Sequence, residues 1–217
     1  IFKCICGALI FISFFYICLH RVDPDFWWHL KVGEWILENH AVPTTDIYSF
    51  TMQGYPWVDL EWPVNIFFYI LYSKNLAPLL AGIFALLAAT PFLVWLARAR
   101  SLFSIWAILL GASCISLFVG VRPQIISFLL FFVLFEILHK RFANSNSSAL
   151  HPKPYSSLVF YSLPIFFLIW ANLHAAFASG LFIFALWIAL HHIFTWKEKR
   201  FNRKAIKIDI LVFAGSV

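Results

Sequence analysis

Long apolar runs separated by short polar stretches organise this chain. The runs lie at about Ile1–Leu19, Leu76–Ala97, Leu102–Val121, Ile125–Leu138, Leu158–Ala171 and Ala175–Trp196, with another beginning near Ala205. Several approach the roughly 20 residues that a helix needs to cross about 30 Å of hydrocarbon. The stretch from Leu158 to Thr195 is too long for one crossing and must turn near Trp170–His174. The pattern predicts an all-α fold, a polytopic transmembrane helix bundle of about seven spans.

The exception is residues 20–75, a large first loop. Pro24 and the apolar positions after it predict one amphipathic surface helix, and Val64 to Tyr72 a second. Between them, Asp46-Ile-Tyr-Ser-Phe-Thr reads as a short strand and Gln53-Gly54-Tyr55-Pro56 as a turn. Phe26, Trp27, Trp28 and Trp35 suit the headgroup belt, where aromatic rings anchor a helix lying on the bilayer.

Composition supports the membrane reading: 62% of residues are apolar or aromatic and 12% charged, against about 25% charged in soluble domains. The net charge of +6 does not indicate nucleic acid, because the basic residues form clusters beside spans. These are Arg98/Arg100, Lys140/Arg141 and Lys197 to Lys204. Basic residues concentrate on the cytoplasmic side. With a cytoplasmic N-terminus, all three clusters and a flexible linker, Asn144 to Pro154, fall inside. The loop 20–75, Val121–Gln124 and Ala171–His174 then fall outside. Any active face is therefore extracytoplasmic, on a cell (inner or plasma) membrane.

Cys4, Cys6, Cys18 and Cys114 lie in predicted spans, where cysteine packs as a small apolar residue. The chain opens without Met and stops inside an apolar run. Residues 1–217 thus read as the N-terminal part of a longer transmembrane domain.

Seven of the chain's ten carboxylates fall in the first loop: Asp23, Asp25, Glu34, Glu38, Asp46, Asp59 and Glu61. Asp23 reads as the N-cap of the first surface helix, with Pro24 at its first position. Asp25 and His29, four residues apart, share a face and suit either a divalent metal or a carboxylate base held by an imidazole. Ion-pair packing is the alternative. Asp59 and Glu61 read as caps of the second helix, with orienting an acceptor or a metal as the alternative. Arg122, at a span edge beside Pro123 and Gln124, suits a phosphate, against snorkelling to lipid headgroups. Asn172 and His174 sit at the tip of an apolar hairpin, where they bind substrate or bond the turn backbone. No nucleotide-binding or structural-zinc motif occurs.

Taken together, DPDFWWHLKVGEWILENHAVPTTDIYSFT, PWVDLEW, VRPQIISF and WANLHAAFASG resemble bacterial multispanning proteins. These are similar to the GT-C class of membrane glycosyltransferases, with relatives among protein mannosyltransferases and lipid A aminoarabinose transferases. The resemblance runs from Asp23 to Gly180. It implies a hexosyl- or pentosyltransferase with a polyprenyl-phosphate sugar donor and a lipid, glycan or protein acceptor. Asp23 or Asp25 would be the catalytic carboxylate and Arg122 a contact for the donor phosphate. His29, Gln124, Asn172 and His174 complete the substrate-binding candidates, and Mg or Mn is the divalent cation implied where one is used. A transporter or flippase, and a noncatalytic envelope assembly protein, are the competing classes.

Overall fold

A computed structural model describes residues 1–146, 154–197 and 203–217. Regular structure among them is helical: α1 (Phe2–His20), α2 (Phe26–Asn39), α3 (Trp62–Ser73), α4 (Ala77–Arg98), α5 (Leu102–Ile115), α6 (Pro123–Asn146), α7 (Pro154–Tyr161), α8 (Leu163–Ala171), α9 (Phe177–Lys197) and α10 (Arg203–Ala214). Among the described residues, four stretches are long and apolar enough to cross a membrane: α1, α4, Pro123–Arg141 of α6, and α9. The chain forms two compact units, Ile1–Leu129 and Leu130–Val217.

Helix α1 shows why lipid is its solvent. It buries Cys6, Ile10, Phe14 and Cys18, a stripe repeating every fourth residue, while Ile5, Leu9, Ile12 and Tyr16 make an exposed stripe. Both stripes are apolar, and a helix apolar all round belongs in a core or a bilayer. The partner of the buried stripe is α4, whose Ala81, Ala85, Ala88 and Ala89 are buried. Small side chains let helix backbones approach, which drives packing where hydrophobic burial gives no net gain. Lys3 Nζ donates to the carbonyls of Ala97 (3.2 Å) and Ala99 (2.5 Å) at the far end of α4. The two helices therefore run antiparallel. Cys6 and Leu96 pack with Ile105 of α5 at the same end.

The opposite end of this unit carries the polar loop. Helix α2 buries Phe26, His29, Leu30, Val32, Gly33 and Ile36 against α3, which buries Val64, Asn65 and Phe68. A Cβ at Gly33 would lie 2.1 Å from the Asn65 carbonyl oxygen, so glycine sets the closeness of this crossing. Phe68 packs edge-on against Phe84 of α4 (5.3 Å between centroids), seating the pair on the bundle.

Several expected elements take another form. Helix α5 stops at Ile115 rather than running to Val121. Near its end, Ser113 and Ser116 turn their hydroxyls back onto the carbonyls of Leu109 and Ser113, bonds that compete with helix propagation. The run Leu158–Ala171 is divided between α7 and α8, with Pro164 opening the second piece; proline cannot donate to the preceding turn. The turn expected near Trp170–His174 is present, with Asn172 capping α8. Instead of a strand at Asp46–Thr51 there is an isolated bridge, Thr45 with Pro56. Asp46 Oδ1 takes the N–H groups of Tyr48 and Ser49, which folds the segment into a side-chain-held turn. Gly54, at φ +82°, makes the expected reversal. Of the linker Asn144–Pro154, residues 147–153 lie outside the described residues, as do residues 198–202 of the third basic cluster.

The second unit packs around Leu134, Leu138, Phe160, Leu163, Phe167, Trp170, Phe184 and Val212. Gly180 admits the Trp170 ring, which a Cβ there would meet at 2.5 Å.

Gly33→Ala is expected to destabilise the first unit by about 1–3 kcal/mol, the range for overpacking a tight contact. Thermal unfolding of the detergent-solubilised protein checks it.

Candidate functional site

The segment after α1 is held from three directions. Arg21 Nη1 donates to the Leu117 carbonyl beyond α5. Asp23 Oδ1 accepts the Asp25 N–H at 3.0 Å, and Asp23 Oδ2 forms an ion pair with Arg122 Nη2. The N-cap of α2 is Asp25 rather than the expected Asp23, and Pro24 precedes the helix, which starts at Phe26; the Asp23 carboxylate instead closes the turn at Pro24–Asp25. Its side chain is 10% exposed and that of Arg122 25%. Asp23 borders an apolar crevice with Cys18, Val22, Phe26 and Leu80.

Asp25 faces elsewhere. It lines an open cleft with Trp28, His29, Trp57, Asp59, Glu61, Asn65 and Gln124. The floor is a buried polar chain. Asn65 Nδ2 donates to Asp59 Oδ2 (2.9 Å), which turns the amide oxygen toward His29 Nδ1 at 2.7 Å. That oxygen only accepts, so Nδ1 is the donor in this bond. Asp59 Oδ1 also takes the Glu61 N–H at 3.0 Å. Asp59 thus closes the turn before α3 instead of capping the helix, whose N-cap is Glu61, and it also orients the cleft floor. Glu61 makes no side-chain cap on α3, contrary to the expectation; its Oε2 lies 3.7 Å from His29 Nδ1.

Electrostatics single out Glu61. Burial, then the neighbouring Asp59 and Asp25 carboxylates, push its pKa from the ordinary 4.5 up to about 7. Burial also raises Asp59, against the opposing pull of the Glu61 N–H, Asn65 and His29. Asp46, outside the cleft, moves down, stabilised by the Ser49 hydroxyl and backbone N–H. The cleft wall is aromatic: Trp28 meets Tyr48 at 4.8 Å and Trp57 at 6.1 Å, both edge-on. Tyr48 Oη donates to the Lys31 carbonyl, pinning the loop to α2.

Of the expected site residues, the structure brings together Asp25, His29 and Gln124. Asp23 and Arg122 pair beside them. Asn172 and His174 belong to the second unit, where Asn172 Nδ2 donates to the Leu168 carbonyl and His174 Nδ1 accepts the Ala176 N–H. Asn65 escaped the sequence reading, although its spacing of four from Glu61 put both on one side of the α3 start. As for a divalent cation at Asp25 and His29, His29 commits Nδ1 to Asn65. Among the described residues, the donor trio with ligand atoms within 4.8 Å of one another lies elsewhere, at His191, His192 and Asp209.

Comparison with protein-family models, curated proteins and solved structures gives no match.

Two outcomes follow from these contacts. Arg122→Gln leaves a mostly buried Asp23 carboxylate uncompensated and is expected to cost about 2–4 kcal/mol. Adding Asp23→Asn should recover part of that loss in a double-mutant cycle. Between the ordinary Glu61 value of 4.5 and its raised value of about 7, the folded state binds more protons than the unfolded chain. Stability should therefore fall as pH rises through this window. Glu61→Gln should flatten that slope in unfolding measured across pH.

Proposed function

We propose that the protein is an integral membrane glycosyltransferase of GT-C type, moving a sugar from a polyprenyl-phosphate donor to an acceptor on the extracytoplasmic face. The observation that carries this reading is the Glu61 carboxyl, with its pKa near 7, beside Asp25 and Asp59 under an aromatic wall. A base whose pKa lies near working pH accepts a proton in the transition state with greatest effect. Indole rings offer flat apolar faces on which the C–H face of a sugar can rest. Within the first unit, the carboxylate cleft stands at the end of α1 opposite Lys3, whose ammonium binds the end of α4 near Arg98. That polarity supports a cytoplasmic basic end and an outer acidic end, in a bundle of about seven spans.

In this mechanism Glu61 takes the proton from an acceptor hydroxyl or amine, assisted by Asp25. The acceptor atom bonds to the anomeric carbon as the bond from that carbon to the phosphate oxygen breaks, and the phosphate departs with the electron pair. A single displacement inverts the anomeric centre. Arg122 is the contact for the phosphate, approached with Asp23 already on its guanidinium.

Turnover of polyprenyl-phosphate sugars in membranes tests the reading. Wild type should transfer with inversion, Glu61→Gln and Asp25→Asn should lose about 10²–10⁴ in rate, and Asp23→Asn should act mainly through stability. Retained configuration, or full activity without Glu61 and Asp25, would refute the mechanism. Absence of transfer with every donor would favour transport or assembly.

A further inference from the structure

We infer that the second unit contains a divalent transition-metal site of zinc type, formed by His191 and His192 of α9 and Asp209 of α10. This inference is independent of the glycosyl-transfer reading. The three side chains bring one ligand atom each within 4.8 Å of the others. Asp209 is fully buried, 0% exposed, on a helix read as lying among apolar neighbours. A carboxylate there demands compensation.

Half of the compensation is visible. Arg141 Nη2 holds Asp209 Oδ1 at 3.0 Å, and its guanidinium rests over the Phe160 ring, 4.8 Å from the centroid. Asp209 Oδ2 is turned the other way. It lies 3.1 Å from His192 Nε2, yet neither atom makes an aligned hydrogen bond. Two ligand atoms about 2.0–2.2 Å from one tetrahedral ion lie roughly 3.3–3.6 Å apart. The observed separation is close to that spacing, and an ion explains a near contact that hydrogen bonding does not. His191 completes the set, its ring fixed by Trp187 stacked at 4.9 Å and 2°. Arg141 then plays the part that outer partners play at metal sites, bonding the second oxygen of a ligating carboxylate.

Chemistry narrows the ion. Two imidazoles and one carboxylate suit Zn²⁺ and its borderline neighbours rather than Mg²⁺ or Ca²⁺, which take oxygen shells. Three protein ligands leave one tetrahedral position for water or another donor. The His pair lies within two turns of Lys197, at the end of α9. Bound metal would fasten α9 to α10 at that end.

The full chain, purified in detergent and stripped with a chelator, is titrated with Co²⁺ and then Zn²⁺. One equivalent of Co²⁺ should develop visible d–d bands that Zn²⁺ abolishes, and Zn²⁺ but not Mg²⁺ should raise the thermal midpoint. His191→Gln, His192→Gln and Asp209→Asn should each weaken uptake at least about tenfold and erase the bands. If Asp209→Asn fails to fold, the two histidine variants decide. The chain has eight histidines, so binding that survives both variants is adventitious and overturns the site. Absence of stoichiometric Co²⁺ uptake by wild type overturns it equally, leaving a plain histidine–carboxylate ion pair.

Discussion

The close crossing of α2 and α3 underlies the polar end of the first unit. Gly33 removes a side chain where the Asn65 backbone passes, and only at that separation does the Asn65 amide span His29 and Asp59. The amide is bipolar: its nitrogen satisfies a carboxylate and its oxygen an imidazole proton. Such a group can sit buried because both ends are bonded, whereas a half-satisfied amide would cost more than an apolar residue. The crossing therefore fixes the ring orientation of His29, and with it the position of Asp25 one turn earlier.

Two ways of handling acidic groups coexist within a few residues. Asp23 is neutralised by a cation, Arg122. Asp25, Asp59 and Glu61 gather with no guanidinium or ammonium among the cleft-lining residues. Burial and the neighbouring carboxylates make Glu61 harder to ionise than an ordinary glutamate. Pairing with a cation favours rigidity, while a carboxyl poised near neutral pH favours proton transfer. The Asp-Pro-Asp spelling alone conceals this division, because it depends on which way each side chain turns at the start of α2.

Helix positions were largely legible, since apolar runs and their periodicity report directly on solvent. The turn at Trp170–His174 and the second surface helix were readable for the same reason. Less legible were places where short polar side chains compete with the backbone. Asp46 replaced a strand with a turn by taking two N–H groups, and the serines near the end of α5 re-bonded its last carbonyls. Glu61 was weighed as a cap ahead of a functional group, because a carboxylate just before a helix usually caps it, and Asn65 drew no reading. Their involvement arises from packing between two helices, which sequence spacing along either one does not encode. His191 and His192 on α9 and Asp209 on α10 come together in the same way, through packing between helices that spacing along either one does not encode.

Helix α5 carries a consequence for the lipid around it. Its 14 residues rise only about 21 Å, while the hydrocarbon layer measures roughly 30 Å. By length it does not reach across that layer unaided, and it is not among the four stretches with the length and composition of a span. Exposed Leu102, Phe103, Trp106 and Leu110 nevertheless give it an apolar face suited to acyl chains, so its seat beside α4 sets a depth within the layer rather than a crossing of it.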